Sequence, residues 1–317
     1  MRLYLIFLFL ITLSACGNNQ QEEMNSAIDV ALSHLSNGEC NEALDVLGEV
    51  TNDNDNAIYL QVLASAHACK AGFNEISFIS TDLEGMDTTD FSTIMTSLAK
   101  LTLSDETAVD SPEYTSIKTA INVLLDSTDA SPSQTDRTTK FGTRKAGDMG
   151  VQALILNLVN LGKFLNFYGN VNASGAKGLG TAGNTCFIDY TDSRAQLVID
   201  PGNQGGICAT FTDGHTEMSL AAANLSAAKR RLCEGLVLVT NILDILDNID
   251  LSSSGSLSKL EDVATEVGAI KTTATAAGLG TLINTTSQSE CETLMNTQSN
   301  LDDMEYLYSL IFEIGLQ

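Results

Sequence analysis

Three histidines are the first residues to consider for chemistry in this chain of 317 residues: His34, His67 and His215. His34 and His67 fall in segments with helical periodicity, where an imidazole packs without binding a ligand. The segment Asp213–Glu217 contains His215 between two carboxylates and would suit a metal ion, but it also has the pattern of a turn followed by a helix start. We therefore predict no metal site and no cofactor.

Catalytic motifs are equally scarce. No serine stands in a nucleophile elbow, so the sequence predicts no nucleophilic catalysis. The 40 acidic residues could place two carboxylates close together, as in a carboxylate-based hydrolase, but no motif supports that reading. The segment 52–56 offers oxygen ligands without the glycine and distal glutamate of a calcium loop. The glycines of 175–183 follow a predicted helix rather than a strand, so they are not predicted to cradle a nucleotide.

The N-terminal residues have the layout of a secretory signal. Arg2 precedes an apolar stretch over 3–12, which is shorter than the about 20 residues that a membrane-spanning helix requires. The following residues, Leu13-Ser14-Ala15-Cys16, resemble the lipobox of bacterial lipoproteins.

That resemblance implies removal of residues 1–15, a diacylglycerol group on the Cys16 sulfur, and a fatty acyl group such as palmitate on the new amino group. Several acyl chains on one residue would anchor the protein firmly. Residues 16–23 are then a polar lipidated tether. Gly17 stands where an aspartate would signal inner-membrane retention, so we expect the outer membrane, with the protein facing the periplasm or the cell surface.

The acidic charge of the chain limits the classes of partner that it can bind. The net charge is −24, and residues 16–136 hold about half of the 40 acidic side chains but only three lysines. Such a surface repels phosphate backbones, so we predict no nucleic-acid partner. Two basic clusters, 137–145 and Lys229–Arg231, are expected to neutralise neighbouring acids or, alternatively, to contact anionic headgroups.

Six cysteines remain once Cys16 is assigned to lipid, an even number in a chain bound for an oxidising compartment. Three disulfides are therefore expected. Six cysteines allow 15 pairings, and proximity along the chain favours Cys40 with Cys69, Cys186 with Cys208, and Cys233 with Cys291.

The residues around Gly38 and Gly72 suggest a repeat, because these glycines lie 34 residues apart in similar contexts. Amphipathic helices are predicted over 24–35, 41–50 and 57–71. This pattern resembles about one and a half divergent tetratricopeptide repeats, with Asp55 in place of the closing proline. If the helices alternate in direction, Cys40 and Cys69 meet at one end, where a disulfide would add about 3 kcal/mol.

The rest of the chain also predicts a mainly α fold, since it has few prolines, no tryptophan and several helical stretches. We predict a repeat-like region over 24–130, a linker over 131–148, and a helical bundle over 149–317. The bundle opens with an amphipathic helix over 150–168, which has its leucines on one side and five polar residues on the other. A Gly-rich insertion over 169–215 is predicted to be braced by Cys186 and Cys208, with a small hairpin from 186–190 and 195–199.

From these features we predict a non-enzymatic, lipid-anchored envelope scaffold or adaptor that binds a protein or peptide through its repeat-like helices. The alternative is a periplasmic small-molecule binding component of a transport system, and a carboxylate-based hydrolase is third. A groove along Ala57–Ala71 would favour the protein partner. An enclosed apolar pocket beneath the insertion would favour the small ligand.

Overall fold

The computed structural model describes residues 16–51, 54–101, 110–125, 133–177, 185–200, 208, 210–220, 225–249 and 258–317. The predicted signal peptide over 1–15 lies outside these residues. Fourteen α-helices and no strand occur in the described part of the chain. The prediction of a mainly α fold, with helical hairpins followed by a bundle and a disulfide-braced insertion, is confirmed.

The helices are α1 (Cys16–Ser36), α2 (Cys40–Glu49), α3 (Ala57–Lys70), α4 (Glu75–Ser77), α5 (Phe91–Leu98), α6 (Pro112–Leu125), α7 (Gln134–Phe141), α8 (Thr143–Gly169), α9 (Ser193–Ile199), α10 (Leu225–Asn248), α11 (Ser258–Ala276), α12 (Gly280–Ile283), α13 (Gln288–Leu294) and α14 (Gln298–Tyr308). Two of them run on into π-helical turns, α4 over Phe78–Leu83 and α14 over Ser309–Glu313. The segment predicted as a tether, 16–23, forms the first turns of α1.

Two equivalent glycine turns shape the N-terminal hairpins. Gly38 and Gly72 have φ angles of 75° and 79°, a left-handed conformation that favours glycine. In each turn the amide after the glycine donates to the carbonyl five residues earlier, at 2.9 Å and 3.0 Å. The chain therefore reverses in the same way at both positions, which brings the start of α2 beside the end of α3.

All three predicted disulfide pairings are present. The first joins the two glycine turns, as the alternating helix directions required. The Cα–Cα distances are 5.5 Å for Cys40–Cys69, 5.2 Å for Cys186–Cys208 and 5.6 Å for Cys233–Cys291, within the usual range for a disulfide.

Helix α8 is the centre of the molecule, and the prediction that it is amphipathic was wrong. Its leucines are buried, but Asn157, Asn160 and Lys163 on the opposite side are also 0–1% exposed. The reason is that α3, α5, α6, α7 and α10 all pack against it and cover its circumference over residues 153–165. No described helix is long and apolar enough to cross a membrane.

The predicted linker over 131–148 is helical in its described part, forming α7 and the start of α8. Its polar composition was misleading because two of its polar side chains are buried and bonded to each other. Gln134 accepts a hydrogen bond from the Arg137 guanidinium at 2.7 Å and donates to the Ala146 carbonyl at 2.9 Å. The hydrophobic core runs without interruption from α1 to α14, so the two predicted regions share one core.

The insertion contains no hairpin in its described residues, which is a third correction. Residues 193–199 form α9, and the segment Cys186–Tyr190 instead pairs irregularly with 211–215. Phe187, Ile188 and Tyr190 are all buried, because this segment packs its side chains into the core rather than forming a separate surface ribbon.

Two buried carboxylates of the C-terminal helix hold the insertion in place. Glu313 accepts hydrogen bonds from the Phe187 amide at 2.7 Å and the Tyr190 hydroxyl at 2.8 Å, and it forms an ion pair with Lys177. Glu305 accepts from the Thr191 amide at 2.6 Å, and burial raises the pKa of this carboxyl. The described part of the insertion is therefore an integral layer of the fold.

Candidate functional site

A cavity of about 360 Å³ lies between α6, α8 and α10, and we name it the amide cavity. Each of α6 and α10 contributes one helical face, with residues spaced three and four apart. Helix α8 contributes Asn157 and Asn160, which are three residues apart on one face. The lining comprises Lys118, Ile121, Asn122, Leu125, Asn157, Asn160, Glu234, Val237, Leu238, Asn241, Thr286, Ser287, Gln288, Ser289 and Glu292.

Three asparagines in this lining carry polar atoms without hydrogen-bond partners. Both side-chain amide atoms of Asn160 are unpaired, as are the Oδ1 atoms of Asn157 and Asn241. The three side chains are 0%, 0% and 4% exposed, respectively. A buried polar atom without a partner costs about 1–3 kcal/mol, so this arrangement is unfavourable unless something in the cavity completes the hydrogen bonds.

The orientation of Asn157 is set by one bond. Its Nδ2 donates to the Ala153 carbonyl at 2.7 Å, and a carbonyl can only accept. Oδ1 must therefore be the free atom of Asn157. Either orientation of the Asn160 amide leaves one donor and one acceptor unpaired, because both of its terminal atoms lack partners.

A charge network contributes two residues, Lys118 and Glu234, to the lining of the amide cavity. The carboxylate of Glu234, 4% exposed, receives the Lys118 ammonium at 2.5 Å and the Arg231 guanidinium at 2.8 Å. Arg231 also contacts Asp110 and lies 3.9 Å from Glu217. The hydrogen bond from Arg231 lowers the pKa of Asp110. Because this network already occupies Lys118 and Glu234, their charges are balanced without a ligand.

The rim of the cavity is fixed to α10 at two points. The disulfide from Cys233 to Cys291 ties α13 to α10, next to the lining residues Glu234 and Glu292. Before α13, the Thr240 hydroxyl donates to the Thr285 carbonyl at 2.5 Å. The hydroxyls and the glutamine of 286–289 therefore keep a defined position at the mouth, where side chains are half-buried or exposed.

The residues first considered for metal binding have other partners. The Nε2 atom of His215 lies 3.0 Å from the carbonyl oxygen of Tyr168, and burial lowers the pKa of the His215 imidazole. Asp213 accepts a hydrogen bond from the Thr185 hydroxyl at 2.7 Å. Cys186, Cys208 and Glu313 lie close together, but the two sulfurs form a disulfide and are not free to bind a metal.

One residue of each basic cluster neutralises neighbouring acids, which is one of the two predicted roles. Arg231 is buried among carboxylates, and Lys140 lies 3.4 Å from Asp55. Arg137 is 2% exposed and belongs to the core.

A second concavity of about 690 Å³, which we name the hairpin groove, lies at the disulfide end of the N-terminal hairpins. It is lined by 35–38, Cys40, 72–76, three residues of α3 and three of α8. The α3 residues are Ser65, Ala68 and Cys69, so only the end of the predicted groove along Ala57–Ala71 is formed. Ile76 beside it is 79% exposed.

Comparison with known proteins gives no match to a family model, to a curated protein or to a solved structure.

The sequence interpretation missed the amide cavity. Asn157 and Asn160 were read as part of the polar side of an amphipathic helix, and Lys118, Glu234 and Asn241 were not singled out. One signal was available: two asparagines at i and i+3 interrupt the otherwise apolar stretch Ala153–Leu161. The cavity is also not beneath the insertion, where a ligand pocket was expected. Its uncharged amides can bind and orient a ligand but cannot transfer protons at neutral pH.

Proposed function

We propose that this chain is a lipid-anchored envelope protein that holds a small polar ligand in the amide cavity. The observation that carries the proposal is the set of four unpaired amide atoms on Asn157, Asn160 and Asn241. Binding pockets for small molecules typically enclose about 300–1,000 Å³ and combine apolar walls with a few convergent polar groups. The amide cavity, at about 360 Å³, has both properties.

Ordered water is the simplest other occupant of such a cavity, because buried waters commonly satisfy stranded polar groups. The cavity nevertheless opens to the surface past Lys118 and the half-buried rim of 286–288. Its buried asparagines also come from two different helices, α8 and α10. An open site with convergent donors and acceptors favours a ligand that replaces those waters.

A thermal-shift experiment with a filtered small-molecule extract of cells tests the proposal. We expect the extract to raise the midpoint of thermal unfolding of the wild type, because a ligand at about 100 times its Kd stabilises by about 2.7 kcal/mol. The Asn160→Leu variant should not respond. Asn25→Leu, the same change on the exposed surface of α1, is the matched control and should respond like the wild type. Equal responses of wild type and Asn160→Leu would contradict the proposal.

The anchor is a separate part of the proposal and has its own prediction. The wild type should fractionate with membranes and carry a mass increment from acyl groups, whereas Cys16→Ala should do neither. Ser26→Ala, on the exposed surface of α1, is the control and should behave like the wild type. Membrane association of Cys16→Ala without an acyl mass would rule out the lipid anchor. Since α1 begins at Cys16 and Met24 is the first buried residue among those from Gln20 onward, the anchor would join the core through about two helical turns.

A protein or peptide partner is the second candidate, favoured by the hairpin groove and by the exposed Ile76 at its edge. The acidic surface of 16–136 would then select a basic segment. The thermal-shift experiment separates the two candidates. Stabilisation by the macromolecular fraction of the extract, unaffected by Asn160→Leu, would favour the partner.

A further inference from the structure

The unpaired atoms of the amide cavity define which ligand chemistry fits it. Asn160 offers one donor and one acceptor side by side, both without partners, on a side chain that is 0% exposed. We propose, resting on the function proposed above, that the ligand is a neutral polyhydroxylated molecule of sugar type, which binds Asn160 through neighbouring hydroxyls. A hydroxyl both donates and accepts, so two adjacent hydroxyls satisfy both ends of one amide.

The balance of donors and acceptors favours the same class. Among the fully buried atoms of the lining, the free acceptors are the Oδ1 atoms of Asn157, Asn160 and Asn241, and the free donor is Nδ2 of Asn160. The part of the ligand that faces these buried atoms must therefore supply more donors than acceptors while still accepting one bond. A polyol meets this demand. An ammonium ion does not, because it has no acceptor for the Asn160 amide.

Charge argues against an anionic ligand. Lys118 is the single cation in the described lining, and it is already paired with Glu234 at 2.5 Å. Glu292 adds a second carboxylate to the wall, and the whole chain carries a net charge of −24. An anion would have to break the Lys118 pair and enter against this field.

The apolar part of the lining is compatible with a sugar ring. Ile121, Leu125 and Leu238 are buried side chains from the α6 and α10 walls. Sugar rings carry C–H groups between their hydroxyls, and these groups can pack on aliphatic side chains while the hydroxyls bind the asparagines.

Calorimetric titration with matched sugars tests the proposal on the full chain. The probes are neutral hexoses and disaccharides, namely glucose, galactose, mannose, N-acetylglucosamine, maltose and trehalose, with glucosamine and glucuronate as charged counterparts of glucose. We expect at least one neutral sugar to bind. Its affinity should fall about tenfold or more in Asn160→Leu and remain unchanged in Asn25→Leu. Charged counterparts should bind about tenfold more weakly or not at all.

The possible outcomes separate the ligand class from the proposed function. Binding of a charged counterpart as tight as that of its neutral sugar would overturn the neutral class. Sugar binding that Asn160→Leu leaves unchanged would overturn the role of Asn160. If no sugar binds but the filtered extract still stabilises the wild type and not Asn160→Leu, the sugar class is wrong and the proposed function stands. If neither sugars nor extract have an effect, the cavity holds water only and both proposals fall.

Discussion

Replacing Glu313 with glutamine is expected to lower the free energy of unfolding by about 3–5 kcal/mol. Glu313 is 0% exposed and is the buried partner of Lys177, whose side chain is 4% exposed. Glutamine keeps the size of the side chain and an acceptor for the Phe187 amide and the Tyr190 hydroxyl, but it removes the carboxylate that pairs directly with the buried Lys177 ammonium and leaves it the electrostatic influence of Asp213. Removing one partner of a buried ion pair is far more damaging than replacing both with apolar groups.

Denaturant unfolding of Glu313→Gln measures this effect. Glu290→Gln, the same change at an exposed position on α13, is the control and should unfold with the wild-type midpoint. The double variant Lys177→Met with Glu313→Gln should recover part of the loss, because no unpaired charge then remains. If Glu313→Gln unfolds at the midpoint of the control, the pair does not hold the insertion to the C-terminal helix.

Replacing Asn160 with leucine should have the opposite effect on the ligand-free protein and raise its free energy of unfolding by about 1–3 kcal/mol. Leucine has nearly the same shape as asparagine, and it removes two unpaired polar atoms from a position that is 0% exposed. The same variant should lose ligand binding. A residue that lowers stability but is needed for binding is typical of a functional site.

Chemical denaturation of Asn160→Leu without ligand checks this prediction, with Asn25→Leu as the matched control on the protein surface. A clear loss of stability in Asn160→Leu would mean that the amide makes structural hydrogen bonds in the folded protein. The unpaired atoms would then carry no information about a ligand.

Buried polar side chains have opposite effects on stability at Glu313 and at Asn160. Glu313 and Glu305 are satisfied by backbone amides, hydroxyls and, for Glu313, an ammonium group, so they strengthen the contact of the insertion with the core. Asn160 is equally buried, at 0% exposure, but its amide atoms have no partner. Since similar burial has opposite consequences at these positions, it is the state of the hydrogen bonds that separates structure from function.

Much of the local structure could be predicted from sequence. Helical periodicity and the scarcity of proline indicated a mainly α fold, and the 34-residue spacing of Gly38 and Gly72 located two equivalent turns. The even number of cysteines and their order along the chain led to the correct three pairings. These inferences depend on properties that a short segment carries by itself: its period, its turn residues and the separation of its cysteines.

The amide cavity, the helical state of 134–148 and the buried carboxylates of the insertion were decided only by the tertiary structure. Sequence period tells which residues share a face of α8, but it cannot tell how many neighbours the helix has. Five helices surround α8, so Asn157 and Asn160 are buried instead of solvated. Whether a polar side chain is then paired, as Gln134 is, or left without a partner, as Asn160 is, depends on atoms contributed by distant parts of the chain.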